Sequence, residues 1–289
     1  MATIATDLAA AQIAMVAAAK YTYEHNPVAP NVFTRMPLGK GNKSQTTFKF
    51  ASGGLAWDLE DGVDMTNEQA LTITTVDHTT DEAGCKVIVS RKLRNQMTED
   101  VMKAGGKVIG NMMSRKMDRD GLALLSGFSN GFTNAGTVLS LGYLSAAVSQ
   151  LDGQSEPCPR PLVMAVHPHQ LNGFVDQLVI ASNGQNFPSE LVLDYLRNHW
   201  RGNDKIYGVS VMAAGNLQNN TSGTTTGATG AIFNPSAFIY LVGWEPTTWV
   251  EEDPSGRFSE IGISADYGMA EDDDNYGRFM NFDNAAPTS

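Results

Sequence analysis

The spacing of apolar and polar positions divides the chain into a strand-rich first part, one long helix and a mixed second part. Thr46 to Phe50 (TTFKF) and Leu71 to Val76 (LTITTV) read as strands, rich in β-branched and aromatic residues. Between them lie roughly eighteen residues rich in Gly and acids, and a loop that long usually carries a function in a compact domain. The two strands therefore predict a long, protruding hairpin. Lys86 to Val89 (KVIV) predicts a third strand, entered through Gly84. From about Gln96 to Ser126 the pattern turns helical. Met97, Val101, Ala104, Val108 and Met112 step by four and three residues and predict the buried face. Lys103, Lys107, Arg115, Lys116 and Arg119 then form the solvated face. Thr98 fits an N-cap, with Glu99 and Asp100 favouring the helix dipole. At 1.5 Å per residue the helix is about 45 Å long, more than a domain of this size ordinarily needs. Gly105 and Gly106 each cost it up to about 1 kcal/mol, which predicts a close backbone approach or a bend.

From about residue 137 helices and strands alternate. LGYLSAAVSQLDG reads as a helix, PLVMAVHP as a buried strand, HQLNGFVDQLVIAS as a helix, and PSELVLDYLRNHW as another with Pro188 near its first position. KIYGVSVMAA and GAIFNPSAFIYLVGW read as strands, separated by NLQNNTSGTTTGATG as a Gly/Thr loop. TTWVEEDPSGRFSEIGISADYGMA is β-rich with a DPSG turn, and EDDDNYGRFMNFDNAAPTS reads as a polar tail. At the other end, Leu8 to Ala19 predicts a short Ala-rich helix capped by Thr6 or Asp7. Residues 25 to 44, with three prolines and no periodicity, read as a linker or as an extended arm ordered by a neighbour.

Composition narrows the classes. The chain has 289 residues, enough for one large or two modest domains, and 42% are hydrophobic. Acids outnumber bases 31 to 20, a net charge of −11, which argues against tight, direct DNA binding but leaves enclosure of DNA open. Cys85 and Cys158 are far apart and outside any metal spacing, so two free thiols in a reducing compartment are expected. The apolar stretch at 8–19 lacks a preceding Lys or Arg, and it falls short of the ~20 residues that span a bilayer. Neither an export signal nor a membrane span is expected.

Candidate chemistry is sparse. Gly127-Phe128-Ser129-Asn130-Gly131 matches G-x-S-x-G, but that elbow needs a strand leading in and a helix leading out, whereas here a helix leads in. His167-Pro168-His169 lacks a third ligand and reads as a turn and helix start. Glu271 with Asp272-Asp273-Asp274 lacks the register of a calcium loop and reads as a solvated acidic stretch. No catalytic, cofactor or metal residue is assigned. A serine hydrolase using Ser129 and a monomeric α+β binding protein remain as competing classes.

The order is arm, hairpin, very long helix, compact α+β insert and returning strands. In that order the chain resembles the major capsid proteins of tailed phages, the Hong Kong 97-type fold, in its podovirus-like branch. TTFKF…GGLAWDLEDGVDMTNEQALTITT is similar to that family's extended hairpin loop. VIVSRKLRNQMTEDVMKAGGKVIGNMMSRKMDRDGLALLSG resembles its strand and spine helix, closing on Asp118, Leu122 and Leu125. PLVMAVHPHQLNGF and RFSEIGISADYGMAEDDDNYG resemble its axial-domain step and last peripheral strands. The resemblance implies an α+β fold divided into an N-terminal helix and arm (1–44), an extended hairpin (45–80), a peripheral domain (81–136 and 246–289) and an axial domain (137–245). It implies a non-enzymatic shell protein, without cofactor, whose hexamers and pentamers enclose double-stranded DNA in a virion assembled in the host cytoplasm. The partners implied are further copies, a portal protein and possible scaffolding and cement proteins, with scaffolding expected from another gene. An encapsulin-like compartment shares the fold and stands as the alternative. Trp57 and Leu59, rimmed by Asp58, Glu60 and Asp61, suit an apolar anchor for a neighbouring copy, although the acids also fit a merely solvated loop. Arg91, Lys92, Arg115 and Arg119 of that neighbour are the expected basic partners.

Overall fold

The computed structural model describes residues 26–51, 56–65, 72–96, 101–173, 205–222 and 225–286. The expected helix at 8–19, the cap at Thr98 and the helix beginning near Pro188 lie outside these. The described chain is an α+β structure of two larger sheets and a separate hairpin. The first sheet joins β1 (Thr34–Pro37), β11 (Phe238–Asp253), β12 (Phe258–Glu271) and β4 (Asp81–Ser90) in that order. β11 and β12 form one long antiparallel ribbon from Phe238 opposite Glu271 to Asp253 opposite Phe258, closed by the DPSG turn. Along β12, Ile261, Ile263, Ala265 and Tyr267 alternate inward. They meet the long helix α3 (Val101–Ala123), which follows the short helices α1 (Ala29–Val32) and α2 (Arg91–Gln96).

The buried stripe of α3 differs from the expected one. Ile109, Met113 and Met117 are in the core, whereas Val108 is 41% and Met112 51% exposed. Two apolar stripes run side by side on this helix, about 100° apart, and periodicity alone does not choose between them. The packing does. A Cβ on Gly105 would stand 3.1 Å from Ile261 Cδ1, so that glycine sets the close approach to β12 and fixes Ile109 inward. Four turns on, Gly121 has room only for hydrogen, because Ala29 of α1 and Met269 fill the space a side chain would need.

The segment read as linker or arm therefore lies on its own chain. α1 crosses α3 at Gly121, and β1 pairs in parallel with β11 from Thr34 opposite Ile239. Asp118 secures the crossing. This fully buried carboxylate accepts the backbone N–H groups of Val28 (2.7 Å) and Ala29 (2.9 Å) and the Asn216 side-chain amide (2.7 Å).

The second sheet runs β5 (Gly131–Asn134), β13 (Gly277–Asp283), β10 (Thr225–Phe233), β6 (Leu162–Val166), β8 (Val209–Ala213) and β7 (Lys205–Ile206), with β9 (Asn219–Ser222) also on β10. Helix α4 (Leu141–Asp152) buries Leu144, Ala147 and Leu151 among side chains of β6, β8 and β13. Two expectations fail here. The Gly/Thr stretch is largely a hairpin, Asn219 to Ser222 pairing with Thr225 to Ala228, where the β-branched threonines favour extended backbone. The polar tail contains β13, which buries Met280 and Phe282 between β5 and β10. Met280 and Phe282 alternate correctly, but the adjacent Phe279 and the acids before them mask the pattern. β13 thus lies within the 246–289 segment yet belongs to the sheet of β6 and β10, not to that of β12. Phe33, Phe128, Phe233 and Phe238 stack edge and face between the two sheets. No helix among the described residues is long and apolar enough to cross a membrane.

Candidate functional site

Among the described residues, the remaining strands, β2 (Ser44–Ala51) and β3 (Thr72–Thr79), pair only with each other, Ser44 opposite Thr79 through Ala51 opposite Thr72. Residues directly opposite share a face. One face of the hairpin carries Phe48, Phe50 and Ile73, all exposed. The other carries Thr47, Lys49, Thr74, Val76 and His78 and turns toward the acidic residues after β12.

That acidic stretch is a socket rather than a solvated run. Thr47 Oγ1 donates to Asp272, and Lys49 Nζ pairs with Asp273. Lys49 also lies 3.3 Å from Glu156 and 5.1 Å from the centre of the Tyr276 ring. His78, 1% exposed, places Nε2 3.2 Å from Asp272 Oδ1 and 3.1 Å from Thr47 Oγ1. The turn is fixed from behind: the Asp272 N–H donates to Ala237 O (2.8 Å), and Asp274 Oδ1 accepts the Ser129 N–H (2.7 Å). Burial, with the Asp274 carboxylate beside it, pushes Glu271 up to about 7. Sequence reasoning passed over this socket because its cation and hydroxyl lie more than two hundred residues from its acids. The usable signal was Thr47 and Lys49 alternating with Phe48 and Phe50, which marks two differently occupied faces. Gly268 completes the seat, since Thr79 O occupies the place of any Cβ there.

The candidate interaction residues divide into two surfaces. Trp57, Asp58, Leu59, Glu60 and Asp61 lie at the far end of the hairpin and are all exposed, Trp57 at 57% and Leu59 at 67%. Val63, Asp64 and Met65 extend the same exposed run, and Gly62 turns it at a φ of 80°. The other candidates stand on helices. Arg91 and Lys92 begin α2, exposed. Arg115 and Arg119 are exposed on α3, spaced so that they share a face with Val108 and Met112. The misassigned apolar residues therefore belong to an outward stripe that is both apolar and basic.

The remaining candidates have structural surroundings. Ser129 follows a 3-10 turn (Leu124–Ser126) and precedes β5, the reverse of the strand-to-helix elbow. The His167 and His169 rings stand edge to face 4.6 Å apart, and the His169 N–H donates to His167 Nδ1. Beside them Gln170 is buried and donates to Ala228 O and Phe282 O, tying the helix start to the sheet. No cluster of three metal-ligating side chains occurs among the described residues.

No protein-family model matches the chain, and no curated protein matches it significantly. Solved structures do. The acidic stable capsid of Helicobacter pylori bacteriophage KHP30 is similar with a TM-score of 0.71 at 13% identity, covering 92% of this chain and 93% of that one. The capsid of cyanophage P-SCSP1u gives 0.68 at 13% identity over 93% and 92%. The capsid of Ralstonia phage GP4 gives 0.66 at 14% identity over 94% and 96%. Across nearly its whole length, the chain has the Hong Kong 97-type α+β fold of tailed-phage capsid proteins.

Proposed function

We propose that the chain is the shell-forming subunit of a tailed-phage capsid, assembling as hexamers and pentamers around double-stranded DNA. The observation that carries this reading is the end-to-end match to capsid subunits, with little of either chain left over. The same match makes a phage shell the better-supported reading than an encapsulin-like compartment. The chain works by surface rather than by chemistry, and its partners are other copies, a portal and any scaffolding or cement protein. In this reading residues 1–44 are the N-terminal helix and arm, 45–80 the extended loop, 137–245 the axial domain, and 81–136 with 246–289 the peripheral domain.

The surfaces support self-association. The hairpin tip carries four large apolar residues, Trp57, Leu59, Val63 and Met65, among four acids and no base between residues 56 and 65. The outward stripe of α3 offers Val108 and Met112 beside Arg115 and Arg119, complementary in both character and charge. In our reading the tip of one copy docks on the stripe of the next, with Arg91 and Lys92 at its margin. Reversing Asp58, Glu60 and Asp61 to lysine should stop association, measured by light scattering, without changing the circular dichroism of the chain. Reversing Arg115 and Arg119 to glutamate as well should restore it. Association indifferent to the tip charges would remove this contact. Particles that purify without nuclease-protected DNA from infected cells would remove the capsid reading itself.

A further inference from the structure

The chain contains Asn-Gly pairs at 130–131, 172–173 and 183–184, the last outside the described residues. In such a pair the glycine nitrogen lies one ring closure from the asparagine side-chain carbonyl, and the backbone decides whether the ring forms. The first pair ends the G-x-S-x-G run, whose serine has no use in the shell reading. We propose that Asn130 is a site of spontaneous deamidation through a cyclic imide, and that its isoaspartyl product releases the edge strand β5 from β13. The inference concerns one chain and does not depend on assembly.

Asn130 and Gly131 are both exposed, and Gly131 opens β5 at the edge of the second sheet. The Asn130 carbonyl accepts the Phe279 N–H (3.1 Å). In a planar trans peptide the N–H stands opposite the C=O, so the Gly131 N–H is turned away from β13. No side chain shields that nitrogen, and the fold demands glycine there: a Cβ would stand 2.2 Å from Phe279 O and 2.6 Å from its ring. The Asn130 side chain makes no hydrogen bond among the described residues, so nothing holds it back from its neighbour. Ring closure turns the Asn130 carbonyl away from Phe279, which requires β5 to open at its first residue. A four-residue edge strand opens at far lower cost than the whole fold. Asn172 is held differently. Residues 168–173 are helical, which commits the Gly173 N–H to a carbonyl four residues back, and closing the ring there would break the helix.

The reaction needs only water. The Gly131 nitrogen gives up its proton and bonds to Asn130 Cγ, the Cγ–Nδ2 bond breaks, and the amide nitrogen leaves as ammonia with that proton. Water then opens the five-membered imide at either carbonyl. One opening gives aspartate, and the other gives isoaspartate, in which the main chain runs through the side-chain carbons and is longer by one methylene. That insertion displaces the carbonyl that holds Phe279. It also sets a new carboxylate next to Ser129, whose N–H is bonded to Asp274.

Incubation of the folded, full-length chain in mildly alkaline buffer tests this. Tandem mass spectrometry locates each amide-to-acid change, and an isoaspartyl-specific methyltransferase marks the rearranged product. Conversion at Asn130 should outrun that at Asn172 by roughly tenfold or more, because the helix must open locally before Asn172 reacts. The gap should close in urea. Amides of β5 and of Phe279 should exchange faster in the aged wild type than in the fresh chain. Asn130→Gln, whose longer side chain closes the ring poorly, should show neither the conversion nor the faster exchange. An unmodified Asn130, equal rates at the two sites, or a gap that persists in urea overturns the proposal. So does isoaspartate at 130 with the protection of β5 intact.

Discussion

At the residue scale the structure turns on a few polar side chains that hold distant parts of the chain together. Asp118 is the clearest, because one buried carboxylate satisfies two backbone donors of the arm and an amide from Asn216. Asp118→Ala strands all three, each at a cost of about 1–3 kcal/mol. Urea unfolding should show a loss of about 3 kcal/mol or more, whereas Lys116→Ala, which removes only the exposed partner of an ion pair with Asp120, should cost far less. The thiols give a second check. Burial pushes Cys158 up to about 11, and it also raises Cys85, so neither forms much thiolate near neutral pH. Ellman's reagent should react slowly with both in the folded chain and promptly with two thiols after denaturation. Asp118 was legible in the sequence as part of a helix-closing motif. Its role was not, since the groups it binds lie 90 residues before it and 98 after it.

Elements were more legible than their faces. β2, β3, α4 and β6 fall close to where alternation and helical spacing put them, because each has one period and short polar boundaries. The long helix was equally visible, but its rotation was not: Ile109 and Met112 are both apolar, and only contact with β12 makes one of them core. This predicts an asymmetry in the single chain. Ile109→Ala should cost about 2–5 kcal/mol, as large-to-small core changes do. Met112→Ser and Val108→Ser should stay within about 0.5 kcal/mol by the same denaturation measurement. If those two surface changes nevertheless impair association, the outward stripe is a contact face. β13 was hidden for a different reason. Its strand is short, it follows four acids, and its partner β10 was itself divided between a loop and a strand by its Gly and Thr content.

At the scale of the whole molecule, the sequence carries the fold in the order of its elements rather than in any one motif. Identities to the capsid structures are only 13% and 14%, yet the fold matches over more than nine-tenths of each chain. What selection holds constant in such a fold is where apolar faces meet, and many residue choices meet that demand. The hairpin and its tip are the exception to compactness. A two-stranded ribbon with Phe48, Phe50 and Ile73 facing outward is marginal in water on its own, so its single-chain seat covers only half of what it offers.

The most direct measurement of whether this surface builds a shell is electron microscopy of the purified chain over a range of concentrations, with and without a crowding polymer. The account predicts closed particles, tubes or ring-shaped capsomers of five and six copies. A uniform population of single chains under every one of those conditions would contradict it.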